Sequence, residues 1–109
     1  MKIDLNETLK QGIAAHQSGD LTAADAAYRK ILEIAPGHAD AMHLSGLVAF
    51  QNGDHGKAIR MIACAITLDG KVPLYHANLA RVCLAFGDAS AAVKSFREAV
   101  LLDPENAVL

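Results

Sequence analysis

The sequence predicts an all-α protein, an α-solenoid of three stacked helix-turn-helix hairpins, and two observations support this fold class. First, the dipeptide Gly-Asp recurs every 34 residues, at positions 19, 53 and 87. Second, apolar residues around each dipeptide recur at the spacing of an amphipathic helix. The clearest stripe, predicted to face the core of the last hairpin, consists of Tyr75, Leu79, Val82, Cys83 and Phe86. A fixed period of this length indicates a repeat architecture in which hairpins stack on one another.

The first helix is predicted to begin after Asp4, which with Glu7 forms a possible capping box, and to run to about Ser18. Its strongest apolar line is Leu5, Leu9 and Ile13. The positions that match the core stripe of the last hairpin instead hold polar residues, including Glu7 and Gln11. Because terminal repeats have one face without a neighbour, we expect this face of the first helix to be exposed to solvent.

The next three helices are predicted at residues 21–35, 39–52 and 55–68. The helix over 39–52 is apolar most of the way round, which is typical of a central, buried helix. The last hairpin follows over residues 73–106, where Gly87 can end one helix and Asp88 can cap the next. The second helix of each hairpin carries an Ala followed four residues later by a larger side chain, as if for close packing. These pairs are Ala24/Tyr28, Ala58/Ile62 and Ala92/Phe96.

In these features the chain resembles the tetratricopeptide repeat family, whose period and Gly, Tyr, Ala, Phe and Pro pattern it shares over roughly residues 5–106. The resemblance implies a right-handed superhelix. It also implies a single domain over 1–109 with repeats at approximately 5–38, 39–72 and 73–106. Residues 107–109 would then be the truncated start of a further helix.

Composition argues against several functions. The net charge is −2 and the ten basic residues are dispersed, so neither a nucleic-acid partner nor an anionic membrane is indicated. No apolar run reaches the length of a membrane span, and residues 1–2 lead into a polar helix without a secretory signal. Cys64 and Cys83 stand in no metal or redox spacing. We therefore expect a reducing, cytoplasmic setting.

No catalytic constellation is present in the sequence. None of the five histidines pair at i, i+4 on one predicted helix, and the Gly-Asp turns lack phosphate-binding spacing. We expect a non-catalytic binding module without a metal or cofactor.

The resemblance also implies where a protein or peptide partner would bind. In the family, the first helix of each hairpin lines the inside of the curve. The corresponding residues here are Leu9, Ile13, His16, His43, Leu47, Phe50, Asn78, Arg81 and Leu84. Most are apolar, and an apolar patch with a polar rim is typical of a binding surface. The alternative is that Leu47 and Phe50 only pack against neighbouring helices. Family members that clamp a terminal carboxylate use Lys, Asn and Arg here, so Leu9 and Ile13 argue against such a clamp.

A second resemblance extends this interpretation. The run HADAMHLSGLVAFQNGDHGKAI, followed by LYHANLA, is similar to the N-terminal repeats of bacterial proteins related to O-GlcNAc transferase. In those proteins a ladder of groove asparagines contacts the acceptor polypeptide. Asn78 matches one rung, whereas Lys10 and Leu44 stand at the others. Two hypotheses stay open, an independent adaptor or the substrate-presenting fragment of a larger enzyme such as a glycosyltransferase.

A weak homodimer is also expected, through the C-terminal hairpin. Its apolar residues Val93, Val100, Leu101 and Leu102 are followed by no predicted covering helix, and residues 107–109 are apolar as well.

Overall fold

The computed structural model describes residues 3–105, which form six α-helices and no strand. The helices are α1 (Leu5–Gln17), α2 (Leu21–Ile34), α3 (Ala39–Gln51), α4 (His55–Leu68), α5 (Pro73–Phe86) and α6 (Ala89–Leu102). They pair as three hairpins, α1 with α2, α3 with α4 and α5 with α6, and each hairpin packs on the next. The predicted all-α fold is confirmed. The helix start predicted at residues 107–109 lies outside the described residues.

The turn inside each hairpin has the same geometry all three times. Gly19, Gly53 and Gly87 have φ values of 87°, 84° and 97°, a left-handed conformation that favours glycine. The aspartate that follows each glycine caps the next helix, because its carboxylate accepts a hydrogen bond from the backbone N–H three residues on. The donors are Ala23, Lys57 and Ala91, at 3.0, 3.1 and 3.1 Å. The recurring dipeptide therefore ends one helix and starts another.

The core is built around the predicted pairs of an alanine and a larger residue on α2, α4 and α6. Ala24, Ala58 and Ala92 are at most 2% exposed, which lets the helices of each hairpin approach closely. Tyr28 and Ile62 fill the neighbouring space and are fully buried. In the third hairpin the equivalent residue, Phe96, is only partly buried. The core therefore weakens towards the face of α6 that no described helix covers.

Two sequence expectations about faces have different outcomes. Glu7 and Gln11 on α1 are exposed, so the predicted wet face of the first helix is observed. The stripe predicted to bury Phe86 is wrong at that residue, which is 60% exposed, although Tyr75 and Cys83 are buried. Phe86 is the last residue of α5, where the helix ends at the surface and neighbouring helices do not extend over its side chain.

The two cysteines are free thiols, with Cys83 in the core and Cys64 on the surface. Burial, with a smaller contribution from Asp88, raises the pKa of the Cys83 thiol, so this side chain behaves as a small core residue. Over residues 3–105, none of the helices has both the length and the apolar character needed to cross a bilayer.

Candidate partner-binding groove

The first helices of the hairpins, α1, α3 and α5, lie side by side and are joined by hydrogen bonds between residues 35 positions apart. His16 on α1 is bonded to the side-chain oxygen of Gln51 on α3. The Tyr75 hydroxyl on α5 donates to the Asp40 carboxylate on α3. The amide nitrogen of Asn78 lies 2.9 Å from Nε2 of His43. We call the face formed by these three helices the groove.

A buried polar pair in the groove, His43 and Asn78, connects α3 and α5. His43 and Asn78 are 3% and 7% exposed, so their mutual hydrogen bond is shielded from water. Nη1 of Arg81 donates to the Asn78 side-chain oxygen at 3.0 Å. If the Asn78 amide N–H donates to His43, Nε2 must be unprotonated. Burial lowers the pKa of His43, an effect that Asp40 partly opposes, and this favours the neutral ring.

Tyr75 supports the same region through a ring contact with His43. Their ring centroids are 4.5 Å apart. Burial and the hydrogen-bonded Asp40 carboxylate raise the pKa of Tyr75 far above its ordinary value, so its hydroxyl stays protonated and donates. The groove floor at α3 and α5 is thus held by side chains that already have partners.

At the other end of the groove, His16 is half-buried between two hairpins. Nδ1 of His16 lies 3.1 Å from the Tyr28 hydroxyl, while Nε2 faces Gln51. Burial raises the pKa of Tyr28, which keeps this hydroxyl protonated. Leu9, also half-buried, packs on the cluster of Ala24, Tyr28 and Val48. Both residues therefore contribute to the stacking of the first two hairpins.

The apolar residues expected in the groove have unequal exposure. Ile13, Leu47 and Phe50 are half-buried. Leu47 and Phe50 pack in part on the cluster formed by Ala49, Ala58, Ile62 and Val82, as the packing alternative predicted. Leu84 is 57% exposed.

Sequence reasoning missed several groove residues. Leu74 is 54% exposed and shares a face of α5 with Asn78 and Arg81, at i+4 and i+7. The contacts of Asp40, Gln51 and Tyr75 were also missed. A comparison of positions offset by one repeat plus one residue would have revealed them, because adjacent first helices meet at that offset.

Within residues 3–105, no group of three or more His, Cys, Asp or Glu side chains is placed to hold a metal ion. The groove's fixed polar groups are hydrogen-bonding side chains, and exposed side chains on α5 are Leu74, Arg81 and Leu84. Such an arrangement is suited to binding a polypeptide.

Comparison with known proteins identifies the family. The tetratricopeptide repeat family model matches residues 9–73 and 43–107. The chain belongs to this family, whose repeats generally mediate protein–protein interaction.

Among curated proteins, the chain is similar to the Cell division cycle protein 16 homolog of Homo sapiens, with 34% identity over 94 residues. The match covers 77% of this chain and only 15% of the relative. The Mus musculus homolog matches at 33% identity with the same coverage.

Among solved structures, one similar chain is an O-GlcNAc transferase from Thermobaculum terrenum, with a TM-score of 0.91 and 31% identity. That match covers 97% of this chain and 21% of the transferase chain. The first tetratricopeptide repeat domain of Spaghetti (RPAP3), bound to an HSP90 peptide, has a TM-score of 0.88 at 16% identity. Coverage in that case is 94% of this chain and 81% of the other. At that identity the similarity concerns the fold alone.

Proposed function

We propose that the protein is a non-catalytic interaction module that binds a peptide or partner protein in the groove formed by α1, α3 and α5. The observation that carries this proposal is the pair of exposed leucines on α5, Leu74 and Leu84, on either side of Arg81. Large apolar side chains exposed beside fixed polar groups are typical of binding surfaces. The half-buried Ile13, Leu47 and Phe50 extend this surface across the other two helices.

Arg81 gives the groove a preference in charge. Its guanidinium is held by Asn78, and it forms no ion pair with any residue between 3 and 105. An arginine positioned in this way retains N–H donors for a carboxylate or a backbone carbonyl of the partner. The proposed ligand is therefore an extended segment with apolar anchors and an acidic residue between them.

The test uses fluorescence anisotropy with a panel of labelled ten-residue peptides that carry leucines around a central glutamate. Leu84→Asp is expected to weaken the best binder by about tenfold or more, because a buried leucine contributes roughly 1.5–3 kcal/mol. Leu68→Asp is the matched control, since Leu68 is 45% exposed but lies at the end of α4. Circular dichroism checks that both variants keep the parent's helical content.

Two results would contradict the groove proposal. One is an equal loss of affinity in the Leu84 and Leu68 variants. The other is an unchanged affinity when glutamine replaces the central glutamate of the peptide. That result would show that Arg81 does not recognise an acidic residue.

A second candidate function is the substrate-presenting part of a larger enzyme such as a glycosyltransferase. It is favoured by the 31% identity to the O-GlcNAc transferase, since that match spans nearly the whole of this chain. Repeating the peptide-binding test with the complete native gene product distinguishes the two candidate functions. Glycosyl transfer to a bound peptide, lost in the Leu84→Asp variant, would support the enzyme fragment. Peptide binding with no transfer activity would support the adaptor.

We also propose weak self-association through α6. Val93 and Leu101 are 50% and 72% exposed. With Phe96 and Val100 they line an apolar surface pocket on α6 of about 430 Å³. The side chains on α4 equivalent to Val93, Phe96 and Val100 are Ile59, Ile62 and Ile66, which take part in packing against neighbouring helices. Sedimentation over a wide concentration range should show a dimer that Val93→Lys abolishes. A parent that stays monomeric throughout that range would contradict the proposal.

A reducing, cytoplasmic setting is part of the proposed function. It agrees with the exposed free thiol of Cys64, and protein extracted under thiol-blocking conditions should carry that cysteine unoxidised.

A further inference from the structure

A polar cleft lies between the first two hairpins, on the side of α3 away from the groove. Its volume is about 140 Å³, and α2, α3 and the start of α4 form its walls. The lining residues are Asp25, Arg29, Ser45, Val48, Ala49, Asn52, Asp54 and Lys57. At 100° per residue, Ser45 points about 160° away from the groove residue Leu47. We call this cleft the junction notch.

Ser45 is the feature of the notch that points to a ligand. Its side chain is 4% exposed, yet its hydroxyl has no hydrogen-bond partner within residues 3–105. The hydroxyl is still reachable from the cleft. Among the described residues, every fully enclosed side-chain oxygen or nitrogen has a partner, so an unpaired hydroxyl cannot be fully enclosed. Because this hydroxyl is open to the cleft and bonded to no described residue, a hydrogen-bonding atom placed in the cleft can bind it.

The groups around Ser45 leave more hydrogen-bond donors than acceptors unused. The second carboxylate oxygens of Asp25 and Asp54 are also unbonded, but the free N–H groups outnumber them. The Asp25 carboxylate is paired with Nε of Arg29 at 3.1 Å, and the Asp54 carboxylate caps α4 by accepting from the Lys57 backbone N–H. The Lys57 ammonium group forms no ion pair with a described residue. The remaining N–H groups of Arg29 and the side-chain amide of Asn52 also have free donors. An acceptor with negative charge matches this set.

The third hairpin shows that the fold does not require such a cleft. One repeat later, Ile59 stands at the position of Asp25 and Leu79 at the position of Ser45. Both pack on apolar clusters that include Val82, Cys83 and Ala92, so apolar contacts occupy that place. The polar residues of the notch are thus particular to the contact between the first two hairpins.

We propose that the junction notch binds the carboxylate of an acidic side chain, aspartate or glutamate, from a partner polypeptide. The Ser45 hydroxyl, the Lys57 ammonium and the free guanidinium N–H groups of Arg29 donate to it. A volume of about 140 Å³ is enough to admit a carboxylate group. The lining charges sum to zero, so the binding of a single side chain is weak and adds to contacts made elsewhere.

The experiment is an NMR titration of the isotope-labelled protein. The backbone amide signals of Val48, Asn52 and Lys57 report binding in the notch. The probes are N-acetyl-glutamate N-methylamide, the matching glutamine compound, free acetate and inorganic phosphate. The glutamate probe is expected to give saturating shifts at these amides and to bind about tenfold tighter than the glutamine probe, since hydrogen bonds to a charged group are the stronger ones. Acetate should bind similarly or more weakly, and phosphate no better.

Three variants make the test specific. Ser45→Ala and Lys57→Gln should each weaken the glutamate probe severalfold, whereas Lys94→Gln, which removes a cation on the distant α6, should leave it unchanged. Ser45→Leu installs the residue of the third hairpin and should abolish the shifts.

Several outcomes would overturn the proposal. Non-saturating shifts would mean that the notch holds only water, and equal binding of the glutamine probe would exclude a carboxylate. Tighter binding of phosphate would assign the cleft to a free anion. An unchanged affinity of Ser45→Ala for the glutamate probe would show that the hydroxyl does not take part in binding.

Discussion

The two junctions between hairpins occupy the same positions in the 34-residue register, but they are built from different chemistry. At the second junction, where α4 meets α5, Ile59 contacts two apolar clusters. At the first junction, where α2 meets α3, the equivalent residue is Asp25, whose partner is Arg29. The first junction therefore has a cleft of about 140 Å³ at the place where the second has packed apolar side chains.

On the groove side the junctions differ in the same direction, because the more exposed contact is again at the first junction. The second junction has the buried His43–Asn78 hydrogen bond, whereas the His16–Gln51 bond of the first is exposed. A desolvated hydrogen bond fixes geometry more firmly than one that competes with water. The repeat register thus decides which helices meet, and the side chains at the matching positions decide how tightly. We infer that the second junction couples its hairpins more strongly than the first.

The largest expected effect is a difference between equivalent alanine substitutions. Ile59→Ala should reduce the free energy of unfolding by about 2 kcal/mol, the lower end for isoleucine because Ile59 is only half-buried. Asp25→Ala should change it by about 0–1 kcal/mol, since the Arg29 and Asp25 side chains are 68% and 33% exposed. Urea unfolding followed by circular dichroism measures both. Equal losses would show that the junctions do not differ in apolar packing.

The buried hydrogen bond of the second junction should also matter more than its exposed counterpart. Asn78→Ala leaves Nε2 of His43 without its partner and should cost about 1–3 kcal/mol of unfolding free energy. Gln51→Ala removes the partner of His16 at an exposed site and should cost about 0.5 kcal/mol or less. The same unfolding assay compares them. A larger loss in the Gln51 variant would reverse the proposed order of the junctions.

A smaller effect is expected from pH. The pKa of His43 is lowered in the folded protein, so the unfolded chain takes up a proton first as the pH falls. The stabilisation from neutral His43 is complete above the unfolded pKa of about 6.5 and declines as the pH drops towards the folded pKa.

His43→Gln keeps an acceptor for Asn78 but does not titrate. Its unfolding free energy should therefore vary less between pH 7 and pH 5 than that of the parent. Identical pH profiles of parent and variant would show that His43 does not contribute to the dependence.

Much of the fold could be predicted because its determinants are local. Gly87 needs a left-handed φ and Asp88 supplies a cap, and both requirements are met within a few residues of sequence. The alanine pairs depend on contacts inside one hairpin, which the helical period already places together. Phe86 was the exception, since its exposure depends on where neighbouring helices end.

The site was less predictable because it depends on contacts between hairpins. Leu84 and Arg81 were placed on the accessible face by family resemblance, and they are exposed. His43 and Asn78 satisfy each other and are largely buried, which the pattern of a single helix cannot reveal. The junction notch was missed because Asp25 and Ser45 look like ordinary polar residues until the two helices are brought together. Whether the groove residues bind a partner stays a prediction.

Native-state hydrogen exchange in low concentrations of urea tests the difference between the junctions most directly. It reports the opening free energy of each helix separately. If the first junction is the weaker one, amides of α1 and α2 should exchange through a partial opening of lower free energy than those of α3, α4 and α5. In the double variant Asp25→Ile/Ser45→Leu, which gives the first junction the residues of the second, that gap should narrow. A single opening free energy for all helices of the parent, or lower protection in α5 than in α2, would contradict the inferred difference.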